Sequence, residues 1–200
     1  MSRSREFEPD VALEKAMLLF WQKGYVETSM EDLVQATGVS RYGLYAEFGS
    51  KRELFLASMD RYQESILGEV FGIVEQPGAS LREIGRYFEM LLGALARPQG
   101  RRGCLICNSA TEVAPRDASV REKVGLAMTR LSRGFRAALD NAARRCETAP
   151  LDASRAADFL TGVVLGVSVM ARSGAERRMM ENAVALALDS LLPNPTSKET

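Results

Sequence analysis

The sequence contains no histidine, which removes the commonest general base and the commonest transition-metal ligand of proteins. It also lacks a nucleophile elbow, a P-loop and a dinucleotide-binding fingerprint. No apolar stripe carries a pair of carboxylates that could converge in a core for acid–base chemistry. These absences argue against an enzyme, and no cofactor and no metal site are expected.

Long hydrophobic runs and net charge are missing as well. The longest apolar run, around Val163 to Ala171, is too short and too rich in small residues for a membrane span, and the amino terminus has no signal-peptide core. A cytoplasmic protein with no membrane partner is therefore expected. The 26 basic and 26 acidic side chains cancel, so any binding of nucleic acid depends on where the cations lie.

Cysteine is scarce, with Cys104, Cys107 and Cys146 only. A lone C-x-x-C without histidine is a poor zinc signal, and a structural disulfide is not expected in a cytosolic chain. The favoured interpretation is that these are small buried apolar residues. The alternative is a reactive Cys104, because it follows Arg101 and Arg102 and opens a short helix, where amides and cations stabilise a thiolate.

What the sequence does have is a helix-turn-helix pattern between Thr28 and Phe55. A first helix is predicted after a cap formed by Thr28 with Glu31 or by Ser29 with Asp32, of which the first pair is the better chemical match. Gly38 suits the left-handed residue that ends this helix, and Ser40 is a good N-cap for the next. Two helices joined by such a tight turn cross steeply, as in DNA-binding proteins.

The second helix of this pattern has one face for the core and another for DNA. On a helical wheel, Leu44 and Phe48 share the docking face. The opposite face and its flanks carry the side chains that are predicted to contact bases and phosphates, namely Arg41, Tyr42, Gly43 and Tyr45.

The start of the third helix supplies the predicted phosphate anchors. Ser50 with Glu53 forms a capping box, which places Lys51 and Arg52 on the first turn, where free amides and the helix dipole favour an anion. The alternative is an ordinary helical hairpin whose tyrosines pack and whose cations are solvated.

The run FWQKGYVETSMEDLVQATGVSRYGLYAEFGSKRELF resembles the amino-terminal domain of the TetR family of bacterial transcriptional regulators. The segment RGCLICNSATEVAPRD resembles one found in a branch of that family. The resemblance implies a homodimer that binds a near-palindromic double-stranded DNA operator and releases it when a small-molecule effector enters the carboxy-terminal domain. It also implies that Arg41, Tyr42 and Gly43 contact bases, while Thr28, Ser40, Tyr45 and Lys51 contact the DNA backbone.

We therefore predict an all-α fold in two domains, a helix-turn-helix domain over residues 1–49 and a ligand-binding and dimerisation domain over residues 50–200. Apolar residues recur from Ser50 until Pro77, which predicts one long helix shared by both domains. Beside this helix we expect a mostly apolar effector pocket. Its predicted lining is Tyr62, Phe88, Cys104, Asn108, Met128, Phe135 and Phe159.

The last two predicted helices suit a four-helix interface between two copies of the chain. Gly162 and Gly166 lie four apart in a helix, where each costs about 1 kcal/mol relative to alanine, so another backbone is expected to approach closely. Alternatively, the glycines pack within one chain. The predicted interface residues are Gly162, Gly166, Met170, Met180, Val184 and Leu188.

Residues 1–8 carry Arg3 and Arg5 without apolar periodicity. A disordered terminus is the favoured interpretation, and a basic arm on the minor groove is the alternative. For the whole chain, the competing function is a helical small-molecule or protein binding module that does not bind DNA.

Overall fold

The computed structural model describes residues 7–192, and the amino-terminal arm with Arg3 and Arg5 lies outside that range. The described residues are helical with no strand, which confirms the all-α prediction. The α-helices are α1 (Pro9–Lys23), α2 (Met30–Thr37), α3 (Arg41–Phe48), α4 (Lys51–Tyr62), α5 (Gly68–Glu75), α6 (Leu81–Leu95), α7 (Leu105–Glu112), α8 (Ala118–Arg144), α9 (Ala153–Ser173) and α10 (Arg177–Asp189).

The predicted helix ends of the helix-turn-helix are present. Gly38 ends α2 in the left-handed conformation (φ 75°), and the Ser40 hydroxyl accepts the N–H of Gly43 at 3.1 Å to begin α3. Ser50 begins α4 in the same way, accepting the N–H of Glu53 at 3.1 Å. These local bonds fix the turns on both sides of α3.

The cap of α2 differs from the one that was preferred. Ser29, and not Thr28, begins the helix, since its hydroxyl accepts the N–H of Asp32 at 3.0 Å and the Asp32 carboxylate accepts the N–H of Ser29 at 2.8 Å. Thr28 is fully buried, and its hydroxyl donates to the Gly24 carbonyl at 2.6 Å. Thr28 does not cap α2 with Glu31, although that pair is the better chemical match, because its buried hydroxyl is already hydrogen-bonded in the α1–α2 turn.

The single long helix predicted after Ser50 is interrupted. Between α4 and α5 the residues Gln63–Leu67 form a π-helical segment. A π turn adds a residue while the backbone remains hydrogen-bonded, so apolar side chains recur on both sides of it and the pattern does not reveal it. Such turns are frequent at functional sites.

The chain forms two compact units whose bounds differ from the predicted 1–49 and 50–200. Among the described residues, the head unit comprises 7–66 together with Cys104–Val124, and the bundle unit comprises Leu67–Gly103 and 125–192. The difference arises because α7 and the start of α8 pack and hydrogen-bond with helices and turns of residues 7–66.

Aromatic side chains form the centre of each unit. In the head unit the Phe20 ring meets the Phe55 ring edge-on at 5.0 Å, and the Tyr25 ring lies 4.8 Å from that of Phe55. In the bundle unit Phe88 and Phe135 stack at 5.8 Å with an interplanar angle of 4°. Rings packed in this way stabilise a core beyond the area that they bury.

Helix α9 presents an apolar face that the other residues described by the structure, 7–192, do not cover. By length and composition it could cross a membrane, yet only 33% of its most apolar stretch is buried. The exposed face carries Phe159 and Val169, and a Cβ at Gly162 or Gly166 would meet nothing within 4 Å. Within the part of the chain that the structure describes, open space therefore surrounds both glycines.

Two of the predicted interface residues face the other way. Met180 and Val184 of α10 are buried in the core of their own bundle unit, and Met170 and Leu188 pack partly against that core. The apolar side chains that α10 exposes are Met179 and Leu186. The spacing of apolar residues on α10 allows either face of the helix to be the interface. Burial within the chain shows which face belongs to the core.

Candidate nucleic-acid interface

Helix α3 turns one face to the core and leaves the other free, as the helical wheel predicts. Leu44 is buried, whereas Tyr42 is 81% exposed and Tyr45 is 41% exposed. Arg41, the first residue of the helix, is also exposed, and its guanidinium forms an ion pair with Glu31 of α2. A helix with a guanidinium and two phenols on its free face has the donors and the shape to enter a major groove.

Two residues of the predicted contact set have other roles. Thr28 is fully buried, so its side chain is not exposed to DNA. Gly43 lies against its own unit, because an added Cβ would come within 2.9 Å of the Val39 side chain and 3.4 Å of the Phe7 ring. The structure therefore explains this glycine by close packing inside the head unit.

Lys51 lies at the start of α4, as predicted, and its ammonium group sits 4.4 Å from the centre of the Tyr25 ring. Burial lowers the pKa of Lys51, and the carboxylates of Glu112 and Asp32 act in the opposite direction. A half-buried ammonium beside a helix N-terminus is well placed for a phosphate, since the aromatic ring orients it without neutralising it.

Arg52, in contrast, forms hydrogen bonds with Asp117 and Ser119, which lie at the start of α8 in the same unit. Its Nε donates to Asp117 Oδ2 at 2.5 Å, and its Nη2 donates to Asp117 Oδ1 at 2.9 Å and to the Ser119 hydroxyl at 2.9 Å. This hydrogen bonding holds the pKa of Asp117 at about 2. This two-pronged bonding to a carboxylate occupies one edge of the guanidinium, which makes Arg52 less suited than Lys51 to the predicted phosphate contact.

Glu112, at the end of α7, is a residue that sequence reasoning missed. Its carboxylate accepts the N–H of Val26 at 2.8 Å and the N–H of Tyr25 at 3.2 Å. It also fills the place that a Cβ would occupy at Gly24, whose φ is 91°. Helix α7 is thus bound to the turn between α1 and α2, although 86 residues separate Glu112 from Val26.

At the other end of α7, Cys104 lies at the N-cap position and is partly exposed, while Cys107 is buried. Hydrogen bonds to the Cys104 sulfur lower its pKa to about 7. The Cys107 thiol donates the bond with the largest effect, and the Cys107 N–H and the Tyr62 hydroxyl donate the next two. Burial raises the pKa of Tyr62. Burial opposes this effect by raising the pKa of Cys104, and the lowering comes from these donors rather than from the two arginines that the sequence suggested.

The predicted effector pocket is not assembled as expected. Phe159 is 51% exposed on the outer face of α9, which places it away from any interior lining. Phe88 and Phe135 stack on each other, so the rings themselves occupy the space that a ligand between them would need. Tyr62, Cys104 and Asn108 belong to the head unit, whereas Met128 belongs to the bundle unit.

Comparison with known proteins agrees with this geometry. The family described as "Bacterial regulatory proteins, tetR family" matches residues 12–58, and "Tetracyclin repressor-like, C-terminal domain" matches residues 80–187. The chain is 33% identical over 178 residues to the HTH-type transcriptional repressor ComR of Escherichia coli, covering 86% of this chain and 83% of ComR. It is 28% identical over 194 residues to the repressor BdcR of the same organism, covering 94% and 91%.

Among solved structures, the chain is similar to a cysteine mutant of the TetR family transcriptional regulator CifR complexed with 26-base-pair double-strand operator DNA. The TM-score is 0.83 at 26% sequence identity, and the alignment covers 95% of this chain and 100% of that one. The likeness therefore extends over both compact units. The chain belongs to the TetR family of bacterial regulatory proteins, whose members are DNA-binding transcriptional regulators and not enzymes.

Proposed function

We propose that this regulator is a repressor that binds a near-palindromic DNA operator as a homodimer and releases it when a small hydrophobic or reactive molecule acts on it. The observation that carries the proposal is the exposed face of α3, where Arg41, Tyr42 and Tyr45 stand clear of the core. The DNA-bound state of the similar CifR supports it. Such a protein acts in the cytoplasm, on the nucleoid.

The proposed contacts divide into two classes. Arg41 and Tyr42 contact base edges, while Ser40, Tyr45 and Lys51 contact the DNA backbone on either side. We assign the base-contacting role to the predicted domain of residues 1–49, because α3 lies within it.

The outer face of α9 is the proposed dimer surface. Phe159, Gly162, Gly166 and Val169 follow one another at helical spacing on this face, and Leu186 of α10 is 73% exposed. Apolar side chains left open to water on a helix with two glycines favour a close helix–helix contact with a second copy. Two-fold symmetry then requires two half-sites in the operator.

Release is proposed to begin at Cys104. A thiol with a pKa of about 7 is about half thiolate at neutral pH, and thiolate is the form that attacks electrophiles. Because α7 carries Cys104 at its start and Glu112 at its end, a bulky group on the sulfur would displace the carboxylate that binds the α1–α2 turn. The position of α3 depends on that turn.

Lys51 and Arg52 are adjacent, yet we expect their alanine variants to differ. Lys51→Ala should weaken binding to all duplexes alike and flatten the dependence of log K on log salt by about 0.9, the slope of one phosphate contact. Arg52→Ala should leave this slope unchanged and slightly lower the free energy of unfolding, since a half-exposed guanidinium is lost from its carboxylate. Titrations at several salt concentrations and urea unfolding measure both. Equal changes of slope would contradict the assignment.

Cys104 should be alkylated with a pH midpoint near 7. Its folded-state pKa is depressed, so the rate of reaction with iodoacetamide should rise through about pH 7 and level off above it, well below the ordinary thiol value of about 8.5. Tyr62→Phe removes one donor and should move the midpoint upward. Mass spectrometry of the modified peptide gives the rate at each pH.

The matched controls are Cys104→Ser and Cys146→Ser. Electrophile treatment should release operator DNA from wild type and from Cys146→Ser, whose lost thiol is exposed and lies outside the head unit. It should not release DNA from Cys104→Ser. Equal release from all three proteins would contradict a sensing role for Cys104 and favour the interpretation that it is a small packing residue.

The experiment that tests the proposed function is selection of bound fragments from random duplex DNA. A regulator of this kind should enrich one symmetrical sequence and bind it more weakly as salt rises. The alternative, a helical binding module without DNA binding, would enrich no sequence and show no salt-dependent affinity for duplexes.

A further inference from the structure

The head unit is acidic, which is unexpected for a surface that binds DNA. Residues 7–66 contain ten aspartates and glutamates but six lysines and arginines. Each of these six cations also has a partner within its own unit. The pairs are Lys15 with the Thr37 carbonyl, Lys23 with Asp32, Arg41 with Glu31, Lys51 with the Tyr25 ring, Arg52 with Asp117 and Arg61 with Asp10.

This arrangement weakens non-specific binding, which is the part of the attraction to DNA that is independent of base sequence. Non-specific binding comes almost entirely from cations that displace counterions from phosphates. A cation already paired with a carboxylate releases fewer counterions, and the excess of acidic side chains repels the duplex. Discrimination between operator and other DNA then depends strongly on the few side chains that contact bases.

Among these pairs, Arg41 with Glu31 differs because Arg41 is a proposed base contact. Arg41 opens α3 and Glu31 lies on the first turn of α2, so the ion pair crosses from one helix of the helix-turn-helix to the other. Both side chains are open to solvent, at 53% for Arg41 and 75% for Glu31. The Glu31 carboxylate accepts from Nη2 and leaves the remaining guanidinium N–H groups available.

We propose that Glu31 is a specificity-determining positioning residue, which holds the Arg41 guanidinium toward the base edges and keeps it from the phosphates. The inference rests on the proposed DNA-binding function. A free arginine side chain samples many rotamers and can reach phosphates on any sequence. Paired with Glu31, it loses less entropy when it forms two hydrogen bonds to a guanine.

The ratio of Kd for random duplex to Kd for operator is the quantity that measures this role. In Glu31→Gln the ratio should fall about 3- to 10-fold, the effect of releasing one side chain that was ordered before binding. Most of the change should appear as tighter binding to random duplex, because the released Arg41 guanidinium can then reach phosphates on any sequence. Glu31→Ala, which removes the contact altogether, should lower the ratio at least as much.

Glu27→Gln is the matched control, since it removes one exposed negative charge from the same unit at a position that does not pair with Arg41. It should tighten binding to operator and random duplex equally and leave the ratio unchanged. In an Arg41→Ala background, Glu31→Gln should no longer change the ratio. Fluorescence anisotropy at one fixed salt concentration, with all proteins checked for unchanged thermal unfolding, gives these values.

Failure of the inference can be told apart from failure of the proposed function. If wild type does not prefer any operator over random duplex, the DNA-binding function is wrong. If wild type discriminates but Glu31→Gln and Glu31→Ala keep the same ratio, or if Glu27→Gln lowers it equally, Glu31 contributes charge alone and the positioning role is overturned.

Discussion

The double variant Gly162→Leu, Gly166→Leu is expected to be a folded monomer that binds operator DNA about 100-fold or more weakly than wild type. Joining two binding sites in one dimer raises affinity by a factor on the order of 100 to 10,000, and a monomer loses that gain. Bulky side chains at both positions would separate two α9 helices that approach face to face. Sedimentation and operator titration measure the two effects.

The fold of the single chain should survive this change. A Cβ at either position meets nothing within 4 Å, and glycine is a poorer helix former than leucine, so helix α9 should gain stability. Gly125→Leu is the matched control, because this glycine also lies in a helix of the bundle unit with open space around it. The control should remain dimeric; a double variant that also stays dimeric would move the interface away from α9.

The second large effect is expected for Arg41→Ala. Loss of a two-pronged contact to a base should cost about 1 to 3 kcal/mol on the operator and relax the preference at one position in each half-site. On random duplex the loss should be small, because Glu31 already keeps this guanidinium from phosphates in the free protein. Binding to a set of single-base operator variants measures the change at each position.

Lys51→Ala is the contrasting variant for this prediction. It should weaken operator and random duplex by the same factor, since phosphates are alike on every sequence. If Arg41→Ala and Lys51→Ala reduced binding to both duplexes equally, the division into base and backbone contacts would be wrong.

The local features of the helix-turn-helix could be predicted from the sequence because their causes lie within four residues. Gly38 ends α2 with a positive φ, and Ser40 and Ser50 cap the helices that follow them. The choice between Thr28 and Ser29 as cap could not be made in this way. It depended on the burial of Thr28 against the rest of the head unit, which is a tertiary effect.

The contacts that join distant segments could not be predicted from spacing. Arg52 meets Asp117 across 65 residues, and Glu112 meets Val26 across 86. Position on a first helical turn suits a phosphate or a carboxylate equally well, so the pattern around Arg52 did not distinguish them. Likewise, periodicity places Phe159 on an apolar stripe of α9 without saying which stripe the chain covers.

The central claim is that two copies of this chain bind one symmetrical operator, with one α3 in each half-site. The most direct test compares the affinity of wild type for the selected operator with its affinity for the same duplex in which one half-site is scrambled. Scrambling should weaken binding about 100-fold or more, and the intact half-sites should lie about 34 to 36 Å apart, or a small multiple of that spacing. Equal affinity for the intact and the half-scrambled duplex would contradict the account.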